Sequence, residues 1–104
     1  MTSRLFKHRA SIKRSVAVGT TGGKQKQLLH SDVPCLVIPM ASRAEIDNGF
    51  SVGVGYDIYF KPSADILLGD QIIWKGSTFN VRGVRVYDVP RVGHKHALAS
   101  REGA

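Results

Sequence analysis

One cysteine, four histidines and eight carboxylates are the groups in this 104-residue chain that could attack a substrate, move a proton or hold a metal. Their spacing assigns them no such work. Cys35 is followed by Leu36, Val37 and Ile38 with no adjacent base, so it reads as a small buried hydrophobe rather than a thiolate nucleophile. His94 and His96 would project from one face of a strand, the beginning of a metal site. Two ligands do not complete one, and His8 or His30 would have to converge on them. The acids stand singly, without the pair on one element that general acid–base chemistry uses. Gly19–Lys26, GTTGGKQK, mixes glycines with lysines, yet its spacing fits neither phosphate-binding glycine motif and no helix is expected after it. No catalytic residue, cofactor or metal is assigned, and the chain reads as a non-enzyme.

Aromatic side chains could stack on nucleotide bases. Tyr56 and Trp74 fall on apolar strand faces, which makes core packing their expected role; Tyr59 falls on a polar face and is the exposed candidate. Charge points the same way. The net charge is +7, and residues 1–31 hold Arg4, Lys7, Arg9, Lys13, Arg14, Lys24 and Lys26 with no acid before Asp32. From there on, eight basic residues balance eight acidic ones. The whole surplus therefore sits in the N-terminal third, which suits a polyanion or an acidic protein surface, or a solvated face. If the partner is a polyanion such as DNA, Arg4, Lys24 and Lys26 are the residues expected to face it. No apolar run approaches the roughly 20 residues that a membrane helix needs, and the basic N-terminus lacks the apolar segment of a secretory signal.

The elements that position these residues read as strands. Gln71–Lys75 and Thr78–Val86 form a hairpin across a turn at Gly76-Ser77, with Ile72 and Trp74 inward and a bulge at Gly83. Lys7–Val18 is a first strand in which Arg14 interrupts an apolar face. Gln27–Pro39 is a second, with Pro34 confined to an edge or a bulge. Ser51–Phe60 alternates Val52, Val54, Tyr56, Ile58 and Phe60 on one face. His94–Arg101 is the last strand. The expected fold is all-β, a small antiparallel β-barrel of about six strands in a single domain spanning 1–104. Residues 1–6 are an arm, 102–104 a tail, and 40–55 a long loop between the second and third strands. Ser42 and Glu45 in that loop have the spacing of a capping box. Val33–Ile38 is apolar on both faces, so Val33, Leu36 and Ile38 are expected at a subunit interface.

The order of these segments resembles the small head-to-tail joining proteins of tailed bacteriophages, the head-closure or stopper family. The likeness runs from about Lys7 to Arg101. It is carried by His8 and Ile12, by VPCLVIP at Val33–Pro39, by SRAEID at Ser42–Asp47, and by YDIYFKPSADI. The Gly69–Val81 hairpin and GHKHALASR complete it. The resemblance implies a structural protein of the virion neck, assembled in the host cytoplasm as a ring, taken as dodecameric. Its partners would be a portal-adaptor protein, a tail or tail-terminator protein, and packaged double-stranded DNA bound without sequence preference. Arg43, Glu45, Asp47, Asn48, Gly49 and Phe50 would then lie on a loop projecting toward the channel. A cellular small-barrel module that binds nucleic acid is the competing expectation.

Overall fold

The computed structural model describes residues 6–18, 23–87 and 93–102. Among these residues six strands form: β1 (His8–Val18), β2 (Gly23–Pro39), β3 (Gly55–Phe60), β4 (Gln71–Trp74), β5 (Ser77–Tyr87) and β6 (His94–Arg101). One short helix, α1 (Ser42–Asp47), lies between β2 and β3. All pairings are antiparallel, and the sheet closes on itself in the order β1-β2-β3-β6-β5-β4.

Alternation fills the barrel. Ala10 and Ile12 of β1, Cys35 and Val37 of β2, Ile58 and Phe60 of β3, and Ile72 of β4 point inward, with Phe79 and Val81 of β5. Ala97 and Ala99 of β6 complete this core. The two alanines stand between larger neighbours: Ala97 pairs with Ile58 and Val84, Ala99 with Tyr56 and Val81. A small side chain on the central strand leaves room for the rings on either side, and Tyr56 meets Phe79 edge-on at 4.8 Å between centroids. Ile66, from the β3–β4 connection, joins the same cluster.

Several boundaries differ from the sequence reading, each for a local reason. Lys75 and Gly76 both have positive φ, 49° and 77°, as a two-residue primed turn requires. Trp74 pairs with Ser77, so the turn falls one residue before the expected Gly76-Ser77. β3 starts at Gly55 rather than Ser51, because Gly53 takes φ +91° and turns the chain, leaving Val52 61% exposed. β2 starts at Gly23 rather than Gln27, since Gly23 through Gln27 pair with Val18 back to Arg14. Phe6, expected in the arm, is buried. Glu102, expected in the tail, donates its amide to Thr78 O. The bulge at Gly83 is present as a register shift between Val81 and Gly83. Pro34 sits one residue before the β2–β3 ladder begins at Cys35, where its missing N–H breaks no bond to β3.

β1 and β2 extend well past the barrel. β1 meets β4 only at Ser11, Ile12 and Lys13, so the barrel closes through three residue pairs. From Arg14 outward, β1 and β2 continue as a two-stranded ribbon. Two register shifts around Ile12, with Asp32 at φ 55°, give β2 its extra residues and a strong local twist.

Candidate functional site

The β2–β3 connection is held by a dense set of hydrogen bonds. Its organiser is Glu45, only 2% exposed. The side chain does not cap α1, whose N-cap is Ala41 without a side-chain hydrogen bond. The expected capping box is therefore replaced by a longer-range arrangement. Gly53 N donates to both carboxylate oxygens at 3.0 and 2.9 Å, and Gly55 N donates to Oε2 at 2.7 Å. These amides, Gly53 first and then Gly55, hold the Glu45 carboxyl below the usual carboxylate range. The fit at Gly55 is close: a Cβ there would stand 2.9 Å from Glu45 Cγ and from Met40 Sδ. Met40 N donates to Gly55 O and Phe50 N to Glu45 O, closing the segment on itself.

The expected long free loop is therefore a short helix folded back and pinned. Arg43, Asp47, Asn48 and Gly49 lie exposed on it, and Phe50 is half-buried. Ile46 and Val52 add an apolar element to its outer surface. Because Glu45 has a lowered pKa, its contribution to the folded segment is present above the ordinary carboxylate pKa of about 4.3 and is lost as pH falls through the lower folded value. Glu45→Gln is expected to speed hydrogen exchange at the Gly53 and Gly55 amides at neutral pH while leaving Ile58 protected. Unchanged exchange at both glycines would show that the carboxylate does not hold the segment.

The second constellation joins β1 to the β3–β4 connection. Arg14 occupies the same strand face as Ala10 and Ile12, at the place where that face leaves the barrel. Its Nε donates to Asp70 Oδ1 at 2.8 Å and its Nη2 to Asp70 Oδ2 at 2.9 Å. Nη2 also reaches Asp65 Oδ1 at 3.0 Å, and His30 Nε2 lies 3.2 Å from Asp65 Oδ2. Asp70, 1% exposed, further accepts the amide of Leu67. The hydrogen bonds Arg14 donates to Asp70, then to Asp65, push its pKa above the ordinary value. Arg14, then His30, hold the Asp65 carboxyl below its own. Acids that stand singly in sequence thus converge in space on an arginine that reads as a flaw in a strand.

The expected basic surface is accordingly reduced. Arg14 is taken up by carboxylates, and Lys26 Nζ donates to Gly69 O at 3.0 Å. Arg4 and the Lys24 side chain lie outside the described residues. Lys7 and Lys13 are exposed.

The four histidines do not converge. His8 Nδ1 accepts the amide of Val37 at 3.0 Å and its ring lies 4.8 Å from that of Trp74. Burial, then Lys7 and Lys75, lower its pKa, which favours the neutral acceptor. His30 is with Asp65. His96 Nε2 is 2.6 Å from Asp57 Oδ1, and Tyr59 stacks on the His96 ring at 4.5 Å. His94 lies against Tyr87. Among the described residues no group of three His, Cys, Asp or Glu is placed to hold a metal ion. Tyr59 is half-buried in this outer aromatic row instead of standing free for a base. Cys35 is fully buried, and burial pushes its thiol up to about 11. Of the expected interface residues, Ile38 is exposed and Leu36 half-buried on the outer face, whereas Val33 turns inward and packs on the core.

These features define a class: a closed six-strand antiparallel barrel with a pinned β2–β3 connection and a protruding ribbon. Solved structures share the overall fold. Protein SF1141 from Shigella flexneri 2a matches with a TM-score of 0.73 and 18% identity over 99% of this chain and 98% of its own. xkdH, a protein of the phage-like element PBSX of Bacillus subtilis, matches with a TM-score of 0.58 and 22% identity over 91% of this chain and 93% of its own. No protein-family model and no curated protein matches the chain.

Proposed function

We propose that this chain is a structural protein of the virion neck that closes the DNA-filled head and connects the portal-adaptor complex to the tail. The observation that carries the reading is the barrel shared, over nine-tenths of both chains, with a protein of a phage-like element. The pinned β2–β3 connection supports it. A plug must be held at a defined place yet be displaceable, and a segment secured by one carboxylate on two glycine amides meets both needs. In this reading the chain forms a dodecameric ring, meets the adaptor on one side and the tail or tail-terminator protein on the other, and works without catalysis. DNA contact is non-specific and goes through phosphates.

Arg43, Glu45 and Asp47 together carry a charge of −1, so gating by this segment is steric rather than adhesive. Shortening Ala44–Phe50 removes the Glu45 anchor with the exposed tip, and the fraction of DNA-filled heads after assembly is expected to fall. Neutralising Lys24 and Lys26 is expected to lower it less. Full retention with the shortened segment, in rings of normal composition, would overturn the gating role and leave a tail-docking spacer. A protein that stays monomeric, is absent from neck particles and binds DNA with a steep salt dependence would overturn the neck reading itself in favour of a cellular nucleic-acid module.

A further inference from the structure

A second feature lies beside the pinned segment and is independent of the neck reading. Past α1, the chain leaves a cleft of about 460 Å³ between the connection, the middle of β5 and the end of β6, lined among others by Asn48, Phe50, Val54, Arg82, Ser100 and Arg101. β5 and β6 are hydrogen-bonded neighbours, which brings Arg82 and Arg101 to one cavity although they are far apart in sequence. Arg82 donates its Nε to Ser100 Oγ at 3.1 Å, and this bond fixes the guanidinium while leaving its terminal nitrogens unspent among the described residues. Arg101 is anchored by its backbone, whose amide donates to Val54 O at 2.8 Å.

Among the described residues neither guanidinium lies within 4.0 Å of a carboxylate oxygen; the ion pairs formed there involve Arg14, His30 and His96 only. Of the acids on the flanking segments, Glu45 spends its carboxylate on Gly53 and Gly55, while Asp47 and Glu102, exposed and next in sequence to the lining residues Asn48 and Arg101, form no ion pair with either arginine. Two cations thus line a concave space without an ion-pair partner among the described residues. Phe50 and Val54 supply an apolar wall next to them.

We infer that this cleft is a binding site for a carboxylate-bearing peptide segment of a partner protein, with the acid held between Arg82 and Arg101 and an adjacent apolar side chain resting on Phe50 and Val54. Arginine's planar fork suits a carboxylate, which can accept two parallel N–H bonds. Concavity and the apolar wall select a peptide over duplex DNA. A duplex presents its phosphates on a convex, wholly polar surface, and Phe50 and Val54 would gain nothing from it. A side chain with an apolar neighbour uses both halves of the cleft.

The test is a titration of the full chain followed by the Arg82 and Arg101 Nε–H signals and the Phe50 and Ser100 amides in heteronuclear NMR. The probe is a capped hexapeptide alternating glutamate with leucine; its glutamine counterpart, inorganic phosphate and a short DNA duplex are the other arms. The glutamate peptide is expected to shift these four signals saturably, and the glutamine peptide at least tenfold more weakly. Arg82→Gln and Arg101→Gln are each expected to weaken glutamate-peptide binding about tenfold, which is about 1.4 kcal/mol. The melting temperature, measured alongside, should hold because both side chains are exposed. Equal binding of the glutamate and glutamine peptides overturns the site. So does a duplex that shifts the same signals more strongly than the peptide and loses that effect in the arginine variants, which would make the cleft a phosphate contact. Binding that survives both substitutions places the peptide elsewhere and overturns it as well.

Discussion

Phe79→Ala is expected to cost the fold about 3–5 kcal/mol, the range for deleting a fully enclosed aromatic side chain and leaving its cavity. Phe79 is 1% exposed and meets Tyr56 edge-on across β6, where Ala99, opposite Tyr56, leaves the rings room. Alanines on β6 cannot grow into the space it would vacate, so the cavity should persist. Trp74→Ala is expected to cost less, about 1–2 kcal/mol of lost apolar burial. Trp74 shares a strand face with Ile72, as its position in sequence suggests, but it sits half-buried at the rim. Its ring lies against His8, and Lys75 Nζ stands 4.9 Å from its centroid. Urea unfolding followed by far-ultraviolet circular dichroism compares the two without relying on the tryptophan signal. Equal losses from both substitutions would mean that the indole is enclosed by the core.

Arg14→Met is expected to destabilise the protein by about 3 kcal/mol at neutral pH. This is the low end of the range for orphaning a buried charge, because Arg14 itself keeps some contact with water. The cost arises on the partner. Asp70 is buried, and without the guanidinium its carboxylate retains only the Leu67 amide. Asp65 is half-exposed, and water can replace its share, so Asp65→Asn should have a small effect. A double-mutant cycle between Arg14 and Asp70 separates the pair from its surroundings, with a coupling of about 1–3 kcal/mol expected. Additive losses would reduce the contact to two independent side chains.

Arg14 also illustrates what sequence can carry. Its own strand is legible from alternation, but its partners arrive through a connection 51 and 56 positions away, and no local pattern announces them. Features set by one or two neighbouring residues are legible: the alternation through Tyr56, Ile58 and Phe60, the Gly76 turn to within one residue, and the Gly83 bulge. Val52 and Val54 extend the alternation on paper, yet a single glycine at φ +91° ends the strand at Gly55. Glu45 has the spacing of a local cap and instead answers two amides beyond the helix, since buried amides compete successfully for a carboxylate. The two arginines of the cleft leave no signal in sequence, because Arg101 stands opposite Phe79 and Arg82 falls at the register shift between Val81 and Gly83, so only the folded sheet brings them to one cavity. The fold class was thus readable from short-range chemistry, and the sites were not.

The three-pair closure between β1 and β4 bears on how the barrel comes together. Four ladders join consecutive strands, and β3–β6, the other long-range join, gains six residue pairs, whereas β1–β4 gains three. This one must bring together segments more than fifty positions apart, at the full entropic cost of a long loop, with few hydrogen bonds to repay it. It is therefore the natural last step of assembly and the first to come undone. The Arg14–Asp70 contact stands directly beside it and works as a latch, converting an otherwise weak join into one that releases only when a buried ion pair is broken.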